Sequence, residues 1–161
     1  MSSPSLKPIP SNFKQPKNPV SYIEIRVSSH ATEDVEKVQT AVRNILPETV
    51  TEELTFTTTN LNGHHGNPIT LLEVKLDNRK LLPSVIEQLG SKLSSLDKET
   101  LNEDFKIHIE KSSLFLRFDK QSAFLGAVKL GSNDPIRLKI HFKNLTPQEI
   151  EATCKKVGLL P

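Results

Sequence analysis

The 161 residues contain no tryptophan, and cysteine, methionine and tyrosine occur once each. No apolar run approaches the roughly 20 residues needed to cross a bilayer. A lone cysteine, Cys154, cannot form an internal disulfide or a cysteine metal cage. The N-terminus lacks the apolar core of a secretory signal, so a soluble, cytoplasmic protein is expected. Phosphate-binding Walker loops, the dinucleotide glycine fingerprint, HExxH and zinc-ligand clusters are all missing. Ser122 falls inside a predicted helix without an evident partner. Asp119 and Lys120 are consecutive and so share no helix face. No catalysis, cofactor or metal is therefore expected. The net charge of +2 is close to balance, so any attraction to a polyanion has to come from a local patch.

The clearest such patch lies near the C-terminus. Ile136, Leu138, Ile140 and Phe142 alternate with Arg137, Lys139, His141 and Lys143. Side chains of a strand point to opposite faces with period two, so one face is apolar and the other basic. Lysines on a strand also discourage edge-to-edge pairing, and that reading stands beside a phosphate contact. Upstream, Asp119 is placed to cap a short helix whose apolar side is Ala123, Phe124 and Ala127. Gly131, Ser132 and Asn133 turn the chain, and Asp134–Pro135 opens the last strand.

Four segments carry a resemblance: HATEDVEKV from His30, GHHGNPI from Gly63, RFDKQSAFLG from Arg117 and NDPIR from Asn133. In this order, between Val20 and Phe142, they resemble an archaeal family described as RNA-binding. The same family is also described as a predicted exosome subunit with a double-stranded-RNA-binding-domain-like fold. That fold is similar to the domain of the ribosomal protein that holds 5S rRNA. The resemblance implies RNA as a partner, structured or double-stranded, and exosome subunits as further partners.

The rest of the chain reads in order. Residues 1–19 hold five of the eleven prolines, three lysines and no acid, which marks a disordered basic tail. Residues 20–161 form a single domain. Tyr22–Ser28 alternates as a strand, with Ile23, Ile25 and Val27 inward. Its outward face lacks paired aromatics, which disfavours a base-stacking sheet platform. A helix is predicted over Glu33–Leu46, capped by Thr32 and stopped by Pro47. His30, Glu33 and Asp34 have the residue types of a metal or acid–base site, but capping explains the acids. Threonine-rich Thr51–Asn60 reads as a strand carrying Leu54 and Phe56. The loop Leu61–Asn67 then leads to a strand over Pro68–Leu76. In that loop, Gly63 and Gly66 permit an anion nest, and His64, His65 and Asn67 fit a structural turn, an RNA contact or a metal. Helices are predicted over Asn78–Ser94 and Ser95–Glu103, the latter capped by Asp97. Two short strands follow, with Ile107 and Ile109 on one and Leu114, Leu116 and Phe118 on the other. Thr146–Pro147 opens a final helix that Gly158 stops.

This order predicts an α+β, two-layer sandwich: a mainly antiparallel sheet covered by helices on one face. The expected RNA contacts are Arg117, Lys120, Arg137, Lys139, His141 and Lys143, with a further contact from His64, His65 and Asn67. The rival reading is a protein-interaction or homodimer module that keeps the fold without binding RNA.

Overall fold

A computed structural model of the chain describes residues 19–62 and 66–161. Residues 1–18 of the expected tail and the loop residues Gly63, His64 and His65 lie outside them; Pro19, the last residue assigned to the tail, joins the domain and accepts from the Lys143 N–H at 3.0 Å. The described chain builds one sheet of six strands. In chain order these are β1 (Val20–His30), β2 (Thr57–Asn62), β3 (Pro68–Leu76), β4 (Ile109–Glu110), β5 (Ser113–Phe118) and β6 (Ile136–Phe142). Their spatial order is β2-β3-β1-β6-β5-β4, and every neighbouring pair is antiparallel. The helices are α1 (Val35–Asn44), α2 (Glu48–Thr51), α3 (Leu82–Lys92), α4 (Ser95–Glu103), α5 (Lys120–Phe124) and α6 (Pro147–Lys156).

Alternation decides the two faces. Ile23, Ile25 and Val27 on β1, Leu72 and Val74 on β3, and Leu114, Leu116 and Phe118 on β5 are all buried, as are the four apolar residues of β6. They pack with Val38, Ala41 and Val42 of α1, Val85, Ile86 and Leu89 of α3, and Ile150 and Cys154 of α6. A register shift between Val20 and Tyr22 keeps Val20 inside as well. Such an extra residue resets the alternation within one strand. Cys154 is fully buried, and burial pushes its thiol pKa up to about 12, which leaves it inert as a nucleophile. Among the described residues, no helix is long and apolar enough to cross a membrane.

The ends of the elements follow hydrogen-bond chemistry. Thr146 and Glu149 form a reciprocal capping box on α6, and Gly158 stops it at φ +85°. Asp119 caps α5 through its carboxylate, which accepts from the Ser122 N–H at 2.9 Å and the Ser122 hydroxyl at 2.6 Å. Gly131 lies against this cap: a Cβ there would meet Asp119 Cα at 2.9 Å, so only glycine fits without a shift.

Several boundaries differ from the sequence expectation. Asp34, not Thr32, caps α1, because its side chain accepts from Glu36 N–H. Glu33 is thereby freed for the contacts described below. Ser94, not Asp97, caps α4; Asp97 instead accepts from the Leu130 N–H at 3.1 Å. The threonine-rich segment does not begin as a strand. Glu48–Thr51 is one helical turn, and the Thr51 hydroxyl donates back to Glu48 O at 2.8 Å. That local bond offsets threonine's preference for extended backbone. Leu54 and Phe56 precede β2 and pack on the core, while β2 itself is exposed along its length. Ile107 belongs to a 3-10 turn, Phe105–His108, and is 78% exposed.

Phe142 and His141 test the register of β6. Phe142→Ala is expected to cost about 3–5 kcal/mol, as for other buried phenylalanines. His141→Ala, on the open face, should cost less, about 1–2 kcal/mol, because it leaves the buried Ser113 hydroxyl without its partner. Denaturant melts giving the reverse order would place the apolar row on the wrong face.

A basic sheet face as candidate nucleic-acid interface

The face of the sheet opposite the core presents side chains in rows fixed by strand pairing. In one row, Arg137 of β6 lies directly opposite Arg117 of β5 and directly opposite Arg26 of β1. Adjacent strands are about 4.8 Å apart, so three guanidinium-bearing residues sit within about 10 Å. Arg26 donates through Nε to Glu73 Oε2 at 2.8 Å. Arg117 and Arg137 have no acidic partner among the described residues. The next row carries Phe115, Lys139, Glu24 and Lys75. In the third, His141 stacks on Tyr22 with ring centroids 4.8 Å apart, and its Nδ1 shares a hydrogen bond with Ser113 Oγ at 2.9 Å. Lys139 Nζ lies 5.5 Å from the Tyr22 ring centroid and 5.9 Å from that of Phe115. The face is therefore basic with aromatics set between the charges.

Of the residues expected from the sequence, Arg117, Arg137, Lys139 and His141 meet on this face. Lys143 stands in the turn just beyond β6 and is exposed. Asn67 is exposed before β3, six residues from Glu73 of the arginine row, or about 20 Å along the strand. His64 and His65 lie outside the described residues. The face also holds Arg26, Phe115 and Tyr22, which the sequence reading did not select. The expectation of a face without paired aromatics came from β1 alone. Phe115 alternates with buried Leu114 and Leu116, and that was its one visible signal.

Lys120 is not on this face. It is buried, and its Nζ donates to Asp134 Oδ2 at 2.6 Å, to Ser28 O at 2.7 Å and to Glu33 Oε1 at 3.1 Å. His30 Nε2 meets the same Asp134 oxygen at 3.0 Å. His30, Glu33 and Asp134 have the residue types and closeness of a metal site. Their carboxylates, however, already hold a cation, the Lys120 ammonium. Asp34, expected in this group, is engaged in its cap.

The RNA-binding family matches residues 22–142. The chain belongs to that family. A Pyrococcus abyssi relative named as an RNA-binding protein is 34% identical over 138 residues, covering 84% of this chain and 89% of its own. An uncharacterised protein of Methanocaldococcus jannaschii is 31% identical over 140 residues, covering 84% and 93%. The solved structure of a Methanothermobacter thermautotrophicus protein superposes with TM-score 0.71 at 29% identity, covering 87% of this chain and 98% of its own. The family's match runs from Tyr22 to Phe142 and so takes in β1, β5 and β6, the three strands of the arginine row.

The Lys120 cluster sets a pH-dependent test. Burial pushes the Asp134 carboxyl up, but the hydrogen bond and charge of Lys120, then those of His30, outweigh it and hold the group below the usual range. A depressed folded pKa gives stability that is present above the unfolded value near about 4 and is lost as pH falls through the folded one. Asp134→Asn should therefore melt below wild type at neutral pH, and the gap should narrow below about pH 4. Lys120→Ala should destabilise by about 3 kcal/mol, the low end for a broken buried pair, because both carboxylates keep some solvent. Equal melting of wild type and Asp134→Asn at pH 7 would disprove the assignment.

Proposed function

We propose that the protein binds RNA through the open face of its sheet, without catalysis. The carrying observation is Arg137 lying directly between Arg117 and Arg26. Like charges directly opposite one another across strands are destabilising. Of the three, Arg26 alone has an acid to relieve it among the described residues. A phosphate over the row relieves the remainder, and a planar guanidinium fork suits phosphate oxygens. Lys139 continues the row toward Lys143 with the His141 ring between them, so a backbone lying along β6 would meet Arg137, Lys139 and Lys143 in turn. Membership of the RNA-binding family and the name of the Pyrococcus abyssi relative support the same partner. Arginine and lysine contacts of this kind neutralise phosphates and carry little sequence information.

Binding through phosphates releases condensed cations, so affinity falls as salt rises. Arg117→Gln, Arg137→Gln and Lys139→Gln combined should keep the fold, since all three point away from the core. The triple variant should lower the slope of log affinity against log salt by about 2–3, at roughly 0.7–0.9 per phosphate contact. Fluorescence anisotropy with labelled RNA across a salt series reads this directly. An unchanged slope would move the RNA surface elsewhere. Absence of wild-type binding even at low salt would favour the interaction or homodimer module instead, which sedimentation would then test.

A further inference from the structure

The two-residue strand β4 pairs only with Ser113 and Leu114, and past it the outer face opens into a cavity of about 590 Å³. One side of the cavity is apolar: Ile107, Ile109 and Phe115. The other is charged, with the cations Arg26, Arg117, Arg137 and Lys139 outnumbering the carboxylates of Glu24 and Glu110. Phe115 is 38% exposed and Ile107 78% exposed, so two large apolar side chains stand at one cavity beside Arg117 and Arg137, which have no acidic partner among the described residues. Around the β5 edge, a neighbouring cavity shares Ile107, Phe115 and Arg117 but sets Asp97 and Asp104 against that one arginine, so the four cations of the first cavity make it the better place for an anionic ligand.

Phosphate contacts alone have no use for an exposed ring and an exposed isoleucine. A nucleotide has use for both halves of the cavity, because its base is flat and apolar-faced and its phosphate is anionic. Paired RNA keeps its bases stacked inside the helix, where a side chain on a sheet cannot reach their faces. Resting on the RNA-binding reading above, we propose that this cavity receives an unpaired nucleotide. Its base stacks on Phe115 against Ile107, and its phosphate meets Arg117 and Arg137. The protein therefore prefers single-stranded RNA, or the loops and ends of folded RNA, over continuous duplex. Lys139, placed between the Phe115 and Tyr22 rings, aligns the strand toward the Tyr22–His141 stack.

The test compares a labelled short oligouridine with a blunt RNA duplex, using the full chain, Phe115→Ala and Phe115→Tyr. Phe115→Ala should weaken oligouridine binding by roughly 5- to 100-fold, the span of one base–aromatic stack, at unchanged salt slope. Duplex affinity should stay the same, and Phe115→Tyr should restore oligouridine binding. An oligonucleotide carrying 2-aminopurine should lose fluorescence on wild type, and regain it on Phe115→Ala. Should Phe115→Ala unfold, Phe115→Leu keeps the apolar volume without the ring and gives the same comparison. Equal loss on both RNAs, or no loss on either, overturns the stacking proposal while leaving the arginine row intact. A wild type that binds neither RNA overturns the RNA reading itself.

Discussion

The Lys120 ammonium joins two stretches of chain that are distant in sequence, around residues 28–33 and 120–134. It reaches the carbonyl of Ser28 near the end of β1, the carboxylate of Glu33 before α1, and the carboxylate of Asp134 before β6, while Lys120 itself begins α5. A buried pair of this kind adds little net stability over a well-packed apolar substitute, because desolvation opposes the attraction. Its effect is on position. Asp134 is held at φ +48°, a left-handed conformation that non-glycine residues seldom adopt, and β6 starts two residues later. The direction in which β6 enters the sheet, and with it the placement of Arg137, depends on that anchored turn. His30 adds a second donor to the same oxygen and ties the end of β1 to the start of β6.

The spatial order of strands turns these local facts into a surface. β6 is last in sequence but lies between β1 and β5. Each of those strands contributes one outward arginine at the matching register, and none of the three strands alone shows more than one in that row. The helices bury the opposite face, so the sheet has one side committed to the core and one side free to carry charge. Antiparallel sheets accept this asymmetry, since one face can remain solvated.

The fold class was readable because it rests on periodicity. The alternation of β6 and of β1, the capping pair Thr146 and Glu149, and the stripe of α3 each declare themselves within a dozen residues. What stayed hidden depends on residues far apart in sequence. Lys120 looks like any surface lysine after a capping aspartate; only its partners at 28, 33 and 134 reveal it as internal. Arg26 gains meaning from Arg137, and Phe115 from the shortness of β4. The threonines of 51–59 mislead for a different reason: Thr51 satisfies its hydroxyl on a helical carbonyl, while Thr57–Thr59 do form an exposed edge strand. Part of the candidate site was thus legible as composition, and its arrangement only as register.

Tyr22 has an optical consequence. It is the chain's one tyrosine, and tryptophan is absent, so the protein's near-ultraviolet emission originates almost wholly from one ring. That ring is stacked on His141 and faces the ammonium groups of Lys75 and Lys139. The molecule therefore contains a built-in lamp on its basic face, beside Lys75, Lys139 and His141. Whatever settles over that face, or moves the neighbouring imidazole off the ring, changes the light directly.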